Sequence, residues 1–388
     1  MKIQQPEPLA AQRELSMRAP LRAGIGSEYG FGLRNGFCPS FRMETQSLMS
    51  SATFLCSGRS AIGVAVRYAQ RHSPPVRNCV LLPSYLCRTI IQPCLELGVE
   101  VAFYPVGGDL MVDARDIARR IGRHTLAVLI LEYFGFQQDP VHIRHLRSEF
   151  PDIYLIDDRT HTLLSDLANP ERGATGAIVV YSARKWAPFP DLGIVRWPAA
   201  AADDARERTP LLDAGYDLAF FSARFAAILS RSIFMTLPCE VFRRWSVHSV
   251  QKSERILDRR SVLRRASPAS RLLWLMWNWR QSWDARRSNF QYLLEHWPRK
   301  AGTPLYSALS DEICPLGFPV RTPDRSSLRE RLIQHQVYPP VHWLLPKHVD
   351  PGEFADAARL ADEELTIPID QRYSLADMEH IVEAAGRV

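Results

Sequence analysis

Two short apolar runs end in side chains that can do chemistry. The first, LIDDRTH at 155–161, ends in Asp157, Asp158 and His161. The second, VVYSARKW at 179–186, ends in Ser182 and Lys185. Lysine is scarce: of 48 Lys and Arg residues, only those at 2, 185, 252, 300 and 347 are Lys. A chain that takes nearly all its positive charge from Arg does not need Lys185 for solubility. A lysine just past an apolar strand, with an acid just past a neighbouring strand, suits a Schiff base to pyridoxal phosphate (PLP). The lysine supplies the imine nitrogen, and the carboxylate keeps the pyridine nitrogen protonated so that the ring can accept electrons. A hydrolase with Ser182 as nucleophile and Lys185 as base is the rival from another class. It needs an oxyanion hole and no cofactor.

The elements around these runs predict how they are positioned. CVLLP at 79–83 reads as a buried strand, and 85–98 as a helix kinked by Pro93 and stopped by Gly98. Strands follow at 99–106 and 125–134, with a helix at 113–122 between them. A helix at 140–151 then leads to strands at 153–157, 177–182 and 193–197. Strands alternating with helices imply a mostly parallel sheet covered on both faces, whose ligands sit at the carboxyl ends of the strands. Asp158 and Lys185 lie at such ends. After about 210 the period is helical, with long helices expected at 216–235 and 238–262 and a Trp-rich stretch at 270–297. A strand at 314–322, a helix at 327–337, a strand at 365–370 and a helix at 373–388 make a small α/β unit. The domains expected are an arm over 1–50, a large cofactor-binding domain over 51–235, and a helical connection with a small domain over 236–388.

Composition narrows the classes. The charge is +6 with pI about 9.0, and Arg is scattered apart from small clusters. The best basic patch is Arg255, Arg259, Arg260, Arg264 and Arg265, without any nucleic-acid-binding motif beside it. Seven cysteines with no CxxC fit free thiols in a reducing compartment and no zinc site. No apolar leader follows Met1, so a cytoplasmic protein is expected. The most apolar stretch, 216–236, carries Asp217, Arg224 and Arg231, which argues against a membrane span.

A third motif, CSGRSAI at 56–62, precedes an apolar helix. Free N–H groups at a helix N-terminus bind phosphate, Gly58 lets the backbone approach, and Ser57, Arg59 and Ser60 add polar side chains. In order, CSGRSAI, LPSYLC, EYFGFQQD, LIDDRTH and YSARKWAPFPDLG resemble the DegT/StrS family of PLP-dependent sugar aminotransferases, in fold type I of the aspartate aminotransferase superfamily. The likeness covers 50–200 well and 310–388 in outline; 200–310 is weakly matched.

The resemblance implies roles. Asp158 aligns with the acid that pairs with the pyridine nitrogen. Side chains alternate along a strand, so only one of Asp157 and Asp158 can serve. His161 falls near the ring hydroxyl, Lys185 at the Schiff-base lysine, and Ser182 at a serine that bonds the phosphate. Arg59 replaces the usual Thr. Cys87 occupies the place of the ring-stacking aromatic, and Tyr85 is the candidate replacement. PPVHWLLP at 339–346 loosely matches a segment that reaches the site, which makes His342 and Trp343 substrate contacts. The implied activity is transamination of a keto-sugar nucleotide with glutamate as amino donor, in a homodimer whose site lies at the subunit interface. No metal, nucleic acid or membrane span is expected. Other PLP chemistry on the same scaffold, such as dehydration or decarboxylation, and a catalytically degenerate binding protein are the alternatives.

Overall fold

The computed structural model describes residues 24–26, 28–31, 52–173, 176–198, 211–259 and 263–386. Most of the expected 1–50 arm, and Arg260, lie outside the described residues.

A seven-stranded sheet organises the chain. Its strands are β1 (Ala52–Leu55), β2 (Cys79–Pro83), β3 (Glu100–Tyr104), β4 (Thr125–Leu131), β5 (Tyr154–Asp158), β6 (Ile178–Ser182) and β7 (Gly193–Arg196), in the order β1-β7-β6-β5-β4-β2-β3. The pairs from β3 to β6 are parallel, while β7 runs antiparallel to both β6 and β1. β4 is buried at all seven positions, as a strand covered on both faces must be. β1 is a strand that the sequence reading did not anticipate. Four residues show too little alternation to reveal one.

The first five helices cover the sheet: α1 (Gly58–Arg71), α2 (Arg88–Glu96), α3 (Ala114–Ala118), α4 (Pro140–Glu149) and α5 (Leu163–Ala168). α2 starts at Arg88, later than expected, because Ser84 and Tyr85 belong to a buried turn at the end of β2. α6 (Leu218–Thr236) and α7 (Glu240–Arg259) form an antiparallel hairpin, in which Ser246 Oγ donates to Ala227 O at 3.0 Å. The boundary expected between 235 and 236 therefore falls at the turn of this hairpin. The Trp-rich stretch breaks into α8 (Pro268–Met276) and α9 (Trp279–His296), with Asn278 capping the second.

A second, three-stranded antiparallel sheet follows, ordered β10-β9-β8. Its strands are β8 (Thr303–Pro304), β9 (Phe318–Arg321) and β10 (Glu364–Ile367). The remaining helices are α10 (Arg325–Gln334), α11 (Ala355–Glu363) and α12 (Leu375–Gly386). This smaller unit shares one apolar core with the large sheet, which brings residues 342–343 back to the ends of the large sheet's strands.

Candidate active site

The carboxyl ends of β5 and β6 and the N-terminus of α1 enclose a cavity of about 310 Å³. Its wall includes Ser57, Gly58, Arg59, Asp158, Ser182 and Lys185. Residues 56–60, 158–161 and 182–185 are thus brought together from three separate elements.

Lys185 ends a single 3-10 turn after β6 and points its amine inward. Its Nζ lies 2.6 Å from His161 Nε2 and 3.4 Å from Thr160 Oγ1. His161 is fully buried, and the Phe134 backbone N–H donates to its Nδ1 at 3.2 Å. A neutral imidazole that accepts at Nδ1 carries its proton on Nε2. That proton is therefore directed at the lone pair of a neutral lysine amine. Both groups are pushed toward this state. Burial holds the Lys185 ammonium below its usual range, with Asp158 only partly offsetting it. Burial, then Lys185, then His342 hold His161 well below its usual value. A neutral amine is the form that can attack a carbonyl or accept a proton.

Asp158 is 1 % exposed, and its Oδ1 accepts the Thr160 N–H at 3.0 Å. Burial pushes its pKa above the usual carboxylate range, while the Lys185 charge and the Thr160 bonds pull it back. Asp157 points to the other face of the sheet. There Arg159 Nε donates to it at 2.7 Å, and Arg159 also pairs with Asp166 at 2.8 Å. Of the two neighbours, only Asp158 lines the cavity.

The α1 N-terminus is packed to admit a ligand close to the backbone. Ser57 caps the helix, accepting from Ser60 N–H at 3.1 Å, and the Ser57 and Ser60 hydroxyls lie 2.8 Å apart. Ser60 is thereby held in the cap and does not line the cavity. A Cβ on Gly58 would sit 3.1 Å from Ser182 Cβ, so glycine keeps the helix end against β6. A Cβ on Gly193 would sit 2.0 Å from Ser57 O, which makes glycine obligatory where β7 passes the cap. In the sequence Gly193 reads as the last residue of FPDLG and the first of a strand, with no sign that it meets the cap. Among the described residues the Ser182 hydroxyl has no hydrogen-bond partner, and it lines the cavity. Lys185 bonds to His161 and Thr160, not to Ser182, so the serine–lysine hydrolase pair is not assembled.

Two expectations need correction. Tyr85 does not reach the cavity. Its ring is 1 % exposed, stacks on Tyr133 at 5.9 Å, and directs its hydroxyl to Glu364 at 3.5 Å. The aromatic at the cavity is Trp343, held parallel to His161 at 5.6 Å and to Phe134 at 6.3 Å. The Arg59 guanidinium does not turn to the helix end. It bonds Asp258 at 2.7 Å and Glu254 at 3.2 Å, both on α7.

His342 stands behind Trp343. Its Nδ1 lies 2.8 Å from Thr366 Oγ1, and burial pushes its pKa down to about 3. It does not line the cavity. Residues that sequence reasoning missed come from the hairpin. Arg224 of α6, with Glu254 and Leu257 of α7, lines the mouth beside Arg184, and Arg184 bonds Glu254 at 3.0 Å. Arg184 and Glu254 lie 70 residues apart in sequence, and Arg59 and Asp258 lie 199 apart, so no local signal could have paired them.

Structural comparison places this architecture among known folds. The chain is similar to PseC of Helicobacter pylori, an aminotransferase involved in the biosynthesis of pseudoaminic acid. The identity is 13 %, the TM-score 0.67, and 94 % of this chain and 98 % of that one are covered. It has the fold of these aminotransferases. The sugar aminotransferase CalS13 of Micromonospora echinospora matches at 15 % identity and TM-score 0.60, covering 91 % and 93 %. Spr1654 of Streptococcus pneumoniae, solved in a PLP form, matches at 12 % and 0.62, covering 94 % and 98 %. No family model and no curated protein sequence matches the chain. The two-sheet arrangement is therefore fold type I, with a mostly parallel central sheet and a smaller α/β unit.

Proposed function

We propose that the chain is a PLP-dependent aminotransferase that acts on a keto-sugar nucleotide, with glutamate as amino donor. One observation carries this reading: a lysine amine whose charge burial disfavours, set 2.6 Å from a buried imidazole and with a buried carboxylate in the same cavity, at the strand ends of a fold type I sheet. The sugar substrate rests on the likeness to structures titled sugar aminotransferases. The reading includes a cytoplasmic homodimer, which the same likeness supports.

The residues present fit the cofactor. The unpartnered Ser182 hydroxyl, the Gly58 approach and the α1 N-terminus make a phosphate cradle, in which Ser57 and Ser60 serve through the cap and Arg59 through its backbone. Asp158 is the partner for a pyridinium. Trp343 supplies the aromatic wall. PLP, when bound, supplies a carbonyl for imine exchange and a ring that accepts electrons. Lys185 presents its nitrogen unprotonated and can carry a proton between substrate carbon and cofactor. His161 Nε2–H holds that nitrogen in place. Arg184 and Arg224 at the mouth offer positive charge to an anionic substrate.

The test is spectroscopic. Purified protein supplied with PLP should be yellow, and the colour should bleach with glutamate. Borohydride reduction and peptide mapping should mark Lys185, and Lys185→Ala should abolish both colour and label. A pyridoxyl label on Lys252, Lys300 or Lys347 would overturn the assignment.

A further inference from the structure

The backbone of the turn that carries Lys185 is tied to segments far away in the chain. A single 3-10 turn over Ala183–Lys185 is too short to satisfy its own last carbonyls. Lys185 O accepts from the Tyr29 hydroxyl at 3.3 Å, and Trp186 O accepts from Gln371 Nε2 at 2.6 Å. Trp186 Nε1 in turn donates to Thr160 O at 3.0 Å, which joins the turn to the run that holds Asp158 and His161.

Both donors converge on one guanidinium. Arg286 of α9 is 1 % exposed, and its Cζ lies 4.8 Å from the centre of the Trp186 ring. Its Nη2 donates to the Tyr29 hydroxyl oxygen at 2.6 Å, its Nε to Gln371 Oε1 at 3.0 Å, and its Nη1 to Leu316 O at 2.7 Å. A guanidinium can only donate. The Tyr29 oxygen must therefore accept from it, which leaves the phenol proton for Lys185 O. Burial pushes the Tyr29 phenol up, so that proton stays in place. Gln371 must face Arg286 with its oxygen, which turns its NH2 toward Trp186 O. Packing alone does not call for this arginine. It makes no ion pair among the described residues, and Asp370 pairs with Arg372 at 2.6 Å. A buried charge whose hydrogen-bond partners are all neutral costs stability.

We propose that Arg286 is a positioning residue for Lys185, acting through Tyr29 and Gln371. It orients the two donors, and they fix the backbone of residues 185 and 186. That fixes the place of the Lys185 amine against His161 and Asp158. The inference rests on the reading of Lys185 as the reacting amine. Tyr29, Arg286 and Gln371 do not line the cavity, so each acts on the chemistry only through the lysine's turn.

The experiment uses the full chain and reads Lys185 in two ways. Without PLP, trace acetylation by acetic anhydride across pH, followed by peptide mapping, gives the titration midpoint of the Lys185 amine. With PLP, glutamate-driven bleaching gives a rate at saturation and a half-saturating concentration. Tyr29→Phe with Gln371→Leu should raise the midpoint, as the amine leaves its enclosed place for water. It should slow bleaching at saturation by about 10- to 100-fold and leave half-saturation unchanged, because alignment is lost and substrate binding is not. Arg286→Lys keeps the charge without the fork. It should act in the same way and slow the double variant no further. Tyr29→Phe alone removes one hydroxyl, so it should fold and shift both readings in the same direction by less. A titration midpoint that neither Tyr29→Phe nor the double variant moves would overturn the proposal and leave the network a structural tie. Slowing that multiplies when Arg286→Lys is added to the double variant would overturn the route through Tyr29 and Gln371. A parent protein that never turns yellow with PLP would sink the proposed function, while the acetylation midpoint would still decide the positioning.

Discussion

On one face of β5, Asp157 is locked into a closed charge cluster. Arg159 donates to it at 2.7 Å and to Asp166 at 2.8 Å, and lies 3.7 Å from Glu132, with all four groups at most 1 % exposed. Burial, then Asp157, push the Glu132 carboxyl well above its usual range, while Arg159 pulls it back. On the other face, Asp158 meets a backbone N–H and a cavity. Among the described residues the cation acting on it is Lys185, whose charge is itself disfavoured. The same residue type, one position apart, serves packing on one face and remains available on the other. Burial alone does not mark a functional acid. What distinguishes Asp158 is that its partners leave it short of a fixed positive charge.

The strongest way to break this comparison is to remove the cation from the closed face. Arg159→Met leaves buried carboxylates without their partner. It should cost about 3–5 kcal/mol of stability, read as a lower urea midpoint. Asp158→Asn should do the reverse, leaving the midpoint within about 1 kcal/mol while reducing the glutamate-driven bleaching rate by about 100-fold or more. If Asp157→Asn cripples the half-reaction and Asp158→Asn is silent, the faces have been assigned the wrong way round.

A third buried acid sharpens the contrast. Glu364 on β10 has hydrogen bonds from the His342 N–H and the Thr366 hydroxyl, and no ion pair among the described residues. Burial raises its pKa from 4.5 to about 8. The folded state therefore holds a proton that the unfolded chain releases above about pH 4.5. Stability falls as pH rises through this window, by up to about 1.4 kcal/mol per unit. Denaturation midpoints across that range should decline in the parent, and Glu364→Gln should flatten the decline. An equal slope in both proteins would mean that Glu364 is ionised in the fold.

The aromatic wall gives a smaller effect. Trp343→Leu should shift the bound-cofactor spectrum and cost little stability, because the ring is only half-buried. Tyr85→Leu should leave the spectrum unchanged and cost about 1–3 kcal/mol. Least affected should be Arg59→Ala. Its two partners on α7 are 39 % and 44 % exposed, so the loss should be about 1 kcal/mol. Cofactor retention on dialysis should barely change. A large loss of retention would return the guanidinium to the phosphate.

Much of the site was legible because it is local. The apolar runs before Asp158 and before Ser182 and Lys185 announce strand ends, and alternation along a strand requires Asp157 and Asp158 to part. The CSGRSAI turn declares its own cap through Ser57 and Ser60. Other features rested on contacts across the chain. Tyr85 turned inward because Tyr133 and Glu364 were there to receive it, and Trp343 took the wall because the second sheet carries it back to His161. Arg59 left the helix end for two acids nearly two hundred residues away. The sequence by itself determined which side chains stand at strand and helix ends, since that follows from periodicity and capping within a few residues. Only the tertiary structure decided which of them face the cavity, because ion pairs and ring contacts depend on partners that chain distance conceals.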